Sequence, residues 1–329
     1  MGFGHARSVA DRAHTVAPRA RPPDGSRDTL TLVPAATRTS WANALADRAR
    51  DHWTPARTQE LTRGKALEIL PGEAPQLLRA LGILDGDARM PPARVRKFLQ
   101  INHIARAMRP AIAELGTRHE VVRLLDAGCG RSYLTLLLAW IARAHGHRLE
   151  VLGVDRNAEV IAECQRRAEL AELAEVATFQ VAELATIDAS GMHGVFALHA
   201  CDTATCDAIA LGVNAGAELI AVAPCCQAEL ARGWTELADA AAPGPFAPVW
   251  RAPHLRRETA AHLTDAMRVL LLRARGYEVT AMEFIAAEHT KKNSLIRAMR
   301  GRGDPEARAA YEALVAATGG RGLALAQRI

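Results

Sequence analysis

The sequence lacks several features that would assign it to a particular class of protein. No apolar run is long enough to span a bilayer, so we expect neither a transmembrane segment nor a membrane partner. The first residues contain no apolar signal-peptide core, which gives no reason to expect secretion. The six cysteines (129, 164, 201, 206, 225 and 226) do not follow the spacing of a small secreted domain. We therefore expect free thiols and a cytoplasmic, reducing environment.

Lysine is also scarce, although the chain is basic. The formal net charge is +5 and the pI is about 9.1, but lysine stands only at positions 65, 97, 291 and 292. Residues 1–57 hold nine arginines and five aspartates, a net charge of +4, so the rest of the chain is nearly neutral. Because a sequence this rich in alanine and arginine can reflect genomic base composition, net charge alone is weak evidence for a nucleic-acid partner.

Composition and periodicity divide the chain into four parts. Residues 1–28 are rich in Ala, Arg and Pro without periodicity and indicate a disordered basic tail. Residues 29–90 have apolar residues at helical spacing and predict a helical N-terminal domain that carries no recognisable motif. Residues 91–300 alternate apolar strands with helices, which predicts an α/β domain. Residues 301–329 predict a last helix and a Gly-rich, frayed end.

The alternation of strands and helices predicts a parallel sheet with ligands outside the carboxyl ends of its strands. Apolar runs predict strands at about 121–126, 150–155, 176–182, 194–198 and 219–223, with helices at 132–145 and 157–170 after the first two. Two more runs, 277–285 and 294–299, predict a closing antiparallel pair. The sequence therefore predicts an α/β fold of seven strands.

One motif stands where the first predicted strand turns into its helix, at Asp126-Ala127-Gly128-Cys129-Gly130. Its glycines allow backbone conformations that a Cβ forbids and let a ligand approach closely. The second predicted strand ends in Asp155, whose carboxylate can accept hydrogen bonds from both hydroxyls of a ribose. A dinucleotide site would need a third glycine where Tyr133 stands. A turn that binds nothing is disfavoured, because the acid, both glycines and Asp155 occur in the right order.

The pattern D-x-G-x-G resembles the first motif of class I S-adenosylmethionine-dependent methyltransferases. The resemblance implies a Rossmann-like sheet of seven strands, with S-adenosylmethionine as the cofactor. In that family the leading acid lies near the methionine amino group, and polar groups after the third strand hold the adenine. The implied cofactor-binding residues are Asp126, Gly128, Cys129, Gly130, Asp155, Arg156, Glu183 and His199.

Two further segments follow the fourth and fifth predicted strands, L-H-A-C-D-T-A-T at 198–205 and A-P-C-C-Q at 223–227. The pair resembles a methyltransferase subgroup that includes rRNA adenine dimethylase-like proteins, glutathione-transferase C-terminal-domain proteins and CCHH-type tRNA 2'-O-methyltransferases. Over roughly residues 92–300, this resemblance implies tRNA or rRNA as the acceptor. Asp202 stands where the subgroup has Gly, and Cys206 stands where it often has Asp. The N/D-P-P-Y/F loop of base amino-methyltransferases is not matched.

The ends of the fourth and fifth strands supply the predicted catalytic residues, His199, Cys201, Asp202 and Cys225. In the favoured interpretation, His199 or Asp202 accepts a proton from the acceptor as the methyl group is transferred. One alternative is a cysteine thiolate that attacks a base carbon, and another is cysteines that only pack the sheet edge. A Zn²⁺ site of His199, Cys201, Cys225 and Cys226 is the third, but adjacent cysteines chelate one ion poorly, so we predict no metal.

Three segments are candidates for contact with RNA. A helix predicted over 92–115 and the residues before it hold a basic set: Arg89, Arg94, Arg96, Lys97, Arg106 and Arg109. The Pro-rich segment 243–254 carries Phe246 and Trp250, which could stack on a base, and Lys291 and Lys292 are candidates for phosphate contacts. A solvated helix face and an ordinary surface loop are the alternatives. A small-molecule or protein acceptor, or a non-catalytic binding module of the same fold, competes with the RNA hypothesis.

Overall fold

The computed structural model describes residues 40–198, 203–224, 228–283 and 294–329. All of these residues belong to one compact unit, Thr31–Ile329. The predicted basic tail, the strand-end residues His199 to Asp202 and Cys225 to Gln227, and Lys291 and Lys292 lie outside the described residues. The predicted domain boundary between residues 90 and 91 stays a prediction.

The described helices and strands alternate along the chain as the sequence predicts. The helices are α1 (Ser40–His52), α2 (Pro55–Thr62), α3 (Pro75–Ala80), α4 (Pro92–Arg118), α5 (Tyr133–Ala144), α6 (Ala158–Leu170), α7 (Thr203–Asn214), α8 (Glu229–Asp239), α9 (Ala247–Arg251), α10 (Pro253–Ala274) and α11 (Ala307–Ala317). The strands are β1 (Val121–Ala127), β2 (Arg148–Asp155), β3 (Ala177–Val181), β4 (Gly194–Ala197), β5 (Leu219–Val222), β6 (Tyr277–Glu283) and β7 (Ser294–Arg300).

The seven strands form one sheet in the order β3-β2-β1-β4-β5-β7-β6. Strands β1 to β5 are parallel, and β7 pairs antiparallel with both β5 and β6. This arrangement confirms the predicted α/β, Rossmann-like sheet of the class I methyltransferase fold, including its antiparallel last pair. We call the edge where β1 to β5 end the carboxyl edge, and the opposite edge the amino edge.

Both faces of the sheet are covered by helices, which explains the nearly continuous apolar runs of β1, β4 and β5. Val122 and Leu124 of β1 join a core with α3, α4 and α5. Leu125 and Ala127 join the core of the other face, with α7, α8, α10 and α11. Within the described ranges, no helix is both long and apolar enough to cross a membrane.

Helix α4 runs along one face of the sheet from the carboxyl edge to the amino edge. Its predicted apolar stripe, Phe98 to Ile112, is buried. Pro110 lies inside the helix and has no N–H to give to the preceding turn. In that turn, the guanidinium of Arg297 in β7 donates to the carbonyl of Ala107 at 2.8 Å. The helix is therefore attached to the sheet near its proline as well as through its apolar side chains.

Two predictions about the C-terminal third are wrong. The Pro-rich segment is not an open loop that presents Trp250 to a substrate, because it contains α9 and Trp250 is 2% exposed. Phe246 is half-buried against Trp234, with ring centroids 5.9 Å apart. The chain end is not frayed, because Leu323 and Leu325 are buried and the N–H of Ala324 donates to Glu229 at 2.7 Å. Both regions join the apolar core formed with α8, α10 and α11. The Trp250 ring lies beside Gly319, and Ala324 bonds Glu229, so residues distant in sequence contribute to both.

A charged cluster joins α4 to the strands at the amino edge. The imidazole rings of His119 and His193 stack with their centroids 3.6 Å apart. The carboxylate of Glu218 accepts hydrogen bonds from Arg118 at 2.8 Å and from the Nε2 atom of His119. Burial alone would raise the pKa of Glu218, but these two donors lower it below its ordinary value. The charged form of Glu218 is thus favoured by folding.

The first prediction follows from the depressed pKa of Glu218. Its contribution to stability is present above the ordinary pKa of 4.5 and is lost as pH falls through the lower, folded-state pKa. We expect Glu218→Gln to lower the free energy of unfolding at pH 7 by about 1 kcal/mol. This difference should shrink below pH 4.5, as measured by urea denaturation across pH. Glu150→Gln, which removes an exposed ion pair with Arg123, is the control. If the difference in free energy of unfolding between the wild type and Glu218→Gln does not change with pH, the pKa of Glu218 is not depressed.

Candidate active site

The glycine loop, residues 128–132, connects β1 to α5 at the carboxyl edge. Gly128 and Gly130 have φ angles of 75° and 50°, which residues with a Cβ seldom adopt. The N–H groups of Gly128 and Cys129 both donate to the carbonyl of Val154 in β2, at 2.9 and 2.8 Å. A Cβ added to either glycine would meet no atom within 4 Å. The loop is therefore held by its backbone and borders open space.

Asp155 lies directly beside this loop. One oxygen of its carboxylate accepts from the N–H of Gly130 at 3.1 Å, and the other accepts from the N–H of Asn157 at 3.0 Å. Asn157 is the predicted N-cap of α6, since its side chain accepts from the N–H groups of Glu159 and Val160. A carboxylate has about four acceptor positions, so Asp155 can still accept bonds from two ribose hydroxyls.

Asp126 is buried behind the loop, with 2% of its surface exposed. The hydroxyl of Thr135 in α5 donates to it at 2.6 Å. Burial raises the pKa of Asp126 to about 6, against the effect of the Thr135 bond, and the charge of Asp155 adds to the rise. Two carboxylates so close together favour a ligand that carries positive charge.

The segment after β3 meets Asp155 from the other side. The N–H of Ala182 donates to the carbonyl of Asp155 at 3.1 Å, which places Glu183 near the end of β2. Glu183 and Arg156 are both exposed. Sequence reasoning did not select Val181, a large apolar side chain that is 49% exposed at the end of β3. The available signal was an apolar residue that ends a strand next to a predicted adenine site.

Cys129 differs from the other predicted cofactor residues, because its side chain lies on the buried side of the loop. It is 4% exposed and packs with Ile161 and Cys164 of α6. Only its backbone therefore faces the ligand side, and the N–H of that backbone already bonds Val154. No local pattern predicts that Cys164 lies beside it, because the two residues are far apart in the chain.

Cations surround Tyr133, the first residue of α5. The Nζ atom of Lys97 lies 3.4 Å from the centre of the Tyr133 ring, and the Cζ atom of Arg167 lies 5.5 Å from it. Burial alone would raise the pKa of Tyr133, but these two cations lower it below its ordinary value. Arg167 also donates to the carbonyl of Arg131 at 2.9 Å, so that both cations lie against the glycine loop.

The predicted catalytic residues His199, Cys201, Asp202 and Cys225 lie outside the described residues, as does Cys226. The strands before them are neighbours, since Ala197 of β4 pairs with Val222 of β5. Among the described residues, no group of His, Cys, Asp or Glu could hold a metal ion. The catalytic roles and the zinc alternative both stay predictions.

Comparison with known proteins finds a family model that matches part of the chain. Residues 96–233 match the family model described as a methyltransferase domain. Proteins of this fold take their methyl group from S-adenosylmethionine. The strand order and the glycine loop of this region are those of the class I S-adenosylmethionine-dependent methyltransferase fold. The family match does not identify the narrower subgroup with the P-C-C motif.

Solved structures with similar folds are distant. Magnesium protoporphyrin IX methyltransferase from Synechocystis, solved with bound SAH, is 15% identical over 69% of this chain and 93% of its own, with a TM-score of 0.41. An O-methyltransferase from Bacillus cereus in complex with SAH is 14% identical over 76% and 99%, with a TM-score of 0.37. An rRNA methylase from Streptococcus thermophilus is 11% identical over 61% and 96%, with a TM-score of 0.37. No curated protein matches the sequence. Likeness at this level does not assign a substrate.

The residues at the carboxyl edge fit S-adenosylmethionine. Gly128 and Gly130 border open space, where a side chain would fill the ligand's place. Asp155 retains acceptor positions for the ribose, and the charge of Asp126 complements the ammonium and sulfonium groups. When bound, this cofactor supplies a methyl group on a positively charged sulfur.

The second prediction concerns the buried carboxylate of Asp126. Because its folded-state pKa is raised to about 6, stability falls as pH rises from 3.8 to 6 and stays lower above it. We expect Asp126→Asn to be more stable than the wild type at pH 8, by at most about 3 kcal/mol, with no gain near pH 4. Thermal unfolding at both pH values measures this. Calorimetry should also show that the variant binds S-adenosylmethionine more weakly. If the variant is less stable than the wild type at pH 8, the buried charge of Asp126 does not destabilise the fold.

The third prediction concerns the open side of the glycine loop. We expect Gly130→Arg to abolish detectable binding of S-adenosylmethionine, because the side chain would enter the space beside the loop. Gly146→Arg is a matched control, since Gly146 also has a positive φ and open space but lies at the amino edge, before β2. Both variants should fold by circular dichroism. Retained affinity in Gly130→Arg would place the cofactor elsewhere.

Proposed function

We propose that this protein transfers the methyl group of S-adenosylmethionine to RNA, at a nucleophile held between the ends of β4 and β5. The donor half of the proposal is supported by the glycine loop and the two carboxylates beside it. The RNA half is supported by arginines next to that loop that have no ion pair among the described residues. The expectation of free thiols leads us to place the reaction in the cytoplasm.

The observation that carries the RNA proposal is the basic first part of α4. Arg94, Arg96 and Lys97 lie in its first two turns, and its first turn contains no acidic residue. Cations are unfavourable at this end of a helix, because the helix dipole is positive there. Arg94 and Arg96 are exposed and have no ion pair within the described part of the chain. Their positions are therefore not explained by helix stability and suit a ligand with negative charge.

This positive charge is next to the donor site. Lys97 lies on the ring of Tyr133, which directly follows the glycine loop. Arg131 within the loop and Arg156 after β2 are also exposed, without ion pairs among the described residues. Phosphates of a single-stranded RNA segment could follow these cations while one nucleotide enters the site.

Methyl transfer requires only two things of the protein side chains. The acceptor atom must be aligned with the methyl group, and a proton must leave when the nucleophile is a hydroxyl or an amine. We propose His199 or Asp202 as the proton acceptor, with Cys201 and Cys225 beside the acceptor. This assignment is supported by the neighbouring positions of β4 and β5 and by the resemblance of both strand-end motifs to RNA methyltransferases.

The fourth prediction tests the RNA surface. We expect the double variant Arg94→Gln, Arg96→Gln to bind tRNA about tenfold more weakly at low salt, with unchanged affinity for S-adenosylmethionine. The slope of log K against log salt should fall by roughly 1.4, the value for two lost phosphate contacts to a single strand. A filter-binding titration at several salt concentrations measures both. The matched control, Arg275→Gln with Arg302→Gln, alters two exposed arginines at the amino edge and should bind RNA normally.

The reaction itself is tested with labelled methyl donor. The protein is incubated with methyl-labelled S-adenosylmethionine and total cellular RNA, and the products are digested to nucleosides. We expect label in one nucleoside, with none after pretreatment with ribonuclease. If label appears only in protein or only in a small molecule, the RNA proposal is wrong and the acceptor belongs to that class instead. If the protein binds no S-adenosylmethionine at millimolar concentration, the proposed methyltransferase activity is refuted.

A further inference from the structure

Two cysteine thiols meet behind the glycine loop. The thiol of Cys164 in α6 donates to the carbonyl oxygen of Gly130 at 3.0 Å, and the sulfur of Cys129 lies 3.8 Å from the same oxygen. Both side chains also pack in one cluster with Ile161. The two thiols are therefore neighbours beside one carbonyl oxygen of the glycine loop.

Neither thiol has a part in the proposed transfer reaction. Both are buried, and a small apolar residue would fill either place. Buried cysteines are ordinarily inert. This pair differs from an isolated buried cysteine, because each sulfur has the other as a partner and one member belongs to the loop that borders open space.

We propose that Cys129 and Cys164 are an oxidation site, at which hydrogen peroxide forms a disulfide that weakens binding of S-adenosylmethionine. Cys164 gives up its proton and its sulfur attacks one peroxide oxygen; the O–O bond breaks, and the hydroxide that leaves takes up that proton to give water. The sulfur of Cys129 then attacks the resulting sulfenic acid, and the S–O bond breaks to release a second water. Two thiols lose two electrons in total, and one peroxide is reduced to two waters.

The disulfide acts on the cofactor site through the backbone of the loop. An S–S bond of about 2.05 Å draws the sulfurs closer than two thiols in van der Waals or hydrogen-bond contact. Cys164 is inside α6, whose backbone is fixed by helical hydrogen bonds, whereas Cys129 stands between two glycines of positive φ. The loop must therefore yield, and with it Gly130, whose N–H bonds Asp155. The effect on affinity rests on the proposed donor site and does not depend on the acceptor.

The test uses the full chain, treated with hydrogen peroxide and then with iodoacetamide to block the remaining thiols. After trypsin digestion, mass spectrometry should detect peptide 124–131 joined to peptide 157–166. Calorimetry should show at least a tenfold weaker affinity of the oxidised protein for S-adenosylmethionine, restored by dithiothreitol. Bound S-adenosylmethionine should slow the formation of the cross-linked peptide, because it holds the loop in place.

Two variants separate this site from the other cysteines. Cys164→Ala should bind S-adenosylmethionine as the reduced wild type does and should lose the response to peroxide. Cys206→Ala removes a buried thiol on α7 and should keep the full response. The inference is overturned if the joined peptides do not form, or if they form with unchanged affinity. Reduced protein that binds no S-adenosylmethionine would refute the proposed donor site and the effect on affinity together, while the peptide result would still decide whether the disulfide exists.

Discussion

The hydrogen bond from the N–H of Gly130 to the carboxylate of Asp155 is the interaction on which the site depends. It joins the turn after β1 to the end of β2, and the N–H groups of Gly128 and Cys129 reinforce the same junction at Val154. A loop with two positive-φ glycines has little conformational preference of its own. Its shape is fixed because two acceptors at the end of β2, the carbonyl of Val154 and the carboxylate of Asp155, take three hydrogen bonds from it.

The sheet separates the two parts of the reaction. Strands β1, β2 and β3 carry the residues that fit the methyl donor, and β4 and β5 lead into the segments predicted to hold the acceptor. Because β1 pairs with both β2 and β4, the donor loop is next to the acceptor side without any long connection. Helix α4 adds positive charge at the same edge, outside the sheet.

The donor site could be predicted from sequence because its signals are local. Asp126, both glycines and Asp155 stand at fixed distances from strand ends, and Asn157 is followed at once by the helix it caps. Burial of Trp250 and Leu325 could not be predicted, since the Trp250 ring lies beside Gly319 and the segment that holds Leu325 bonds Glu229, both distant in the chain. The meeting of Cys129 with Cys164 was missed for the same reason. The sequence pattern also gave no sign that Arg297 would bond a carbonyl of α4.

Helix α4 is held at three places: Lys97 at the ring of Tyr133, Ala107 at Arg297, and Arg118 at Glu218. Its 27 residues span about 40 Å, at 1.5 Å per residue. Each added residue turns the rest of a helix by roughly 100°. If one residue were inserted between Lys97 and Arg118, the helix could keep only one of the two contacts at its ends. With Lys97 on Tyr133, Arg118 would be rotated away from Glu218, and the reverse. The number of residues between these two side chains is thus as constrained as their identity, and natural length variation should fall outside this segment.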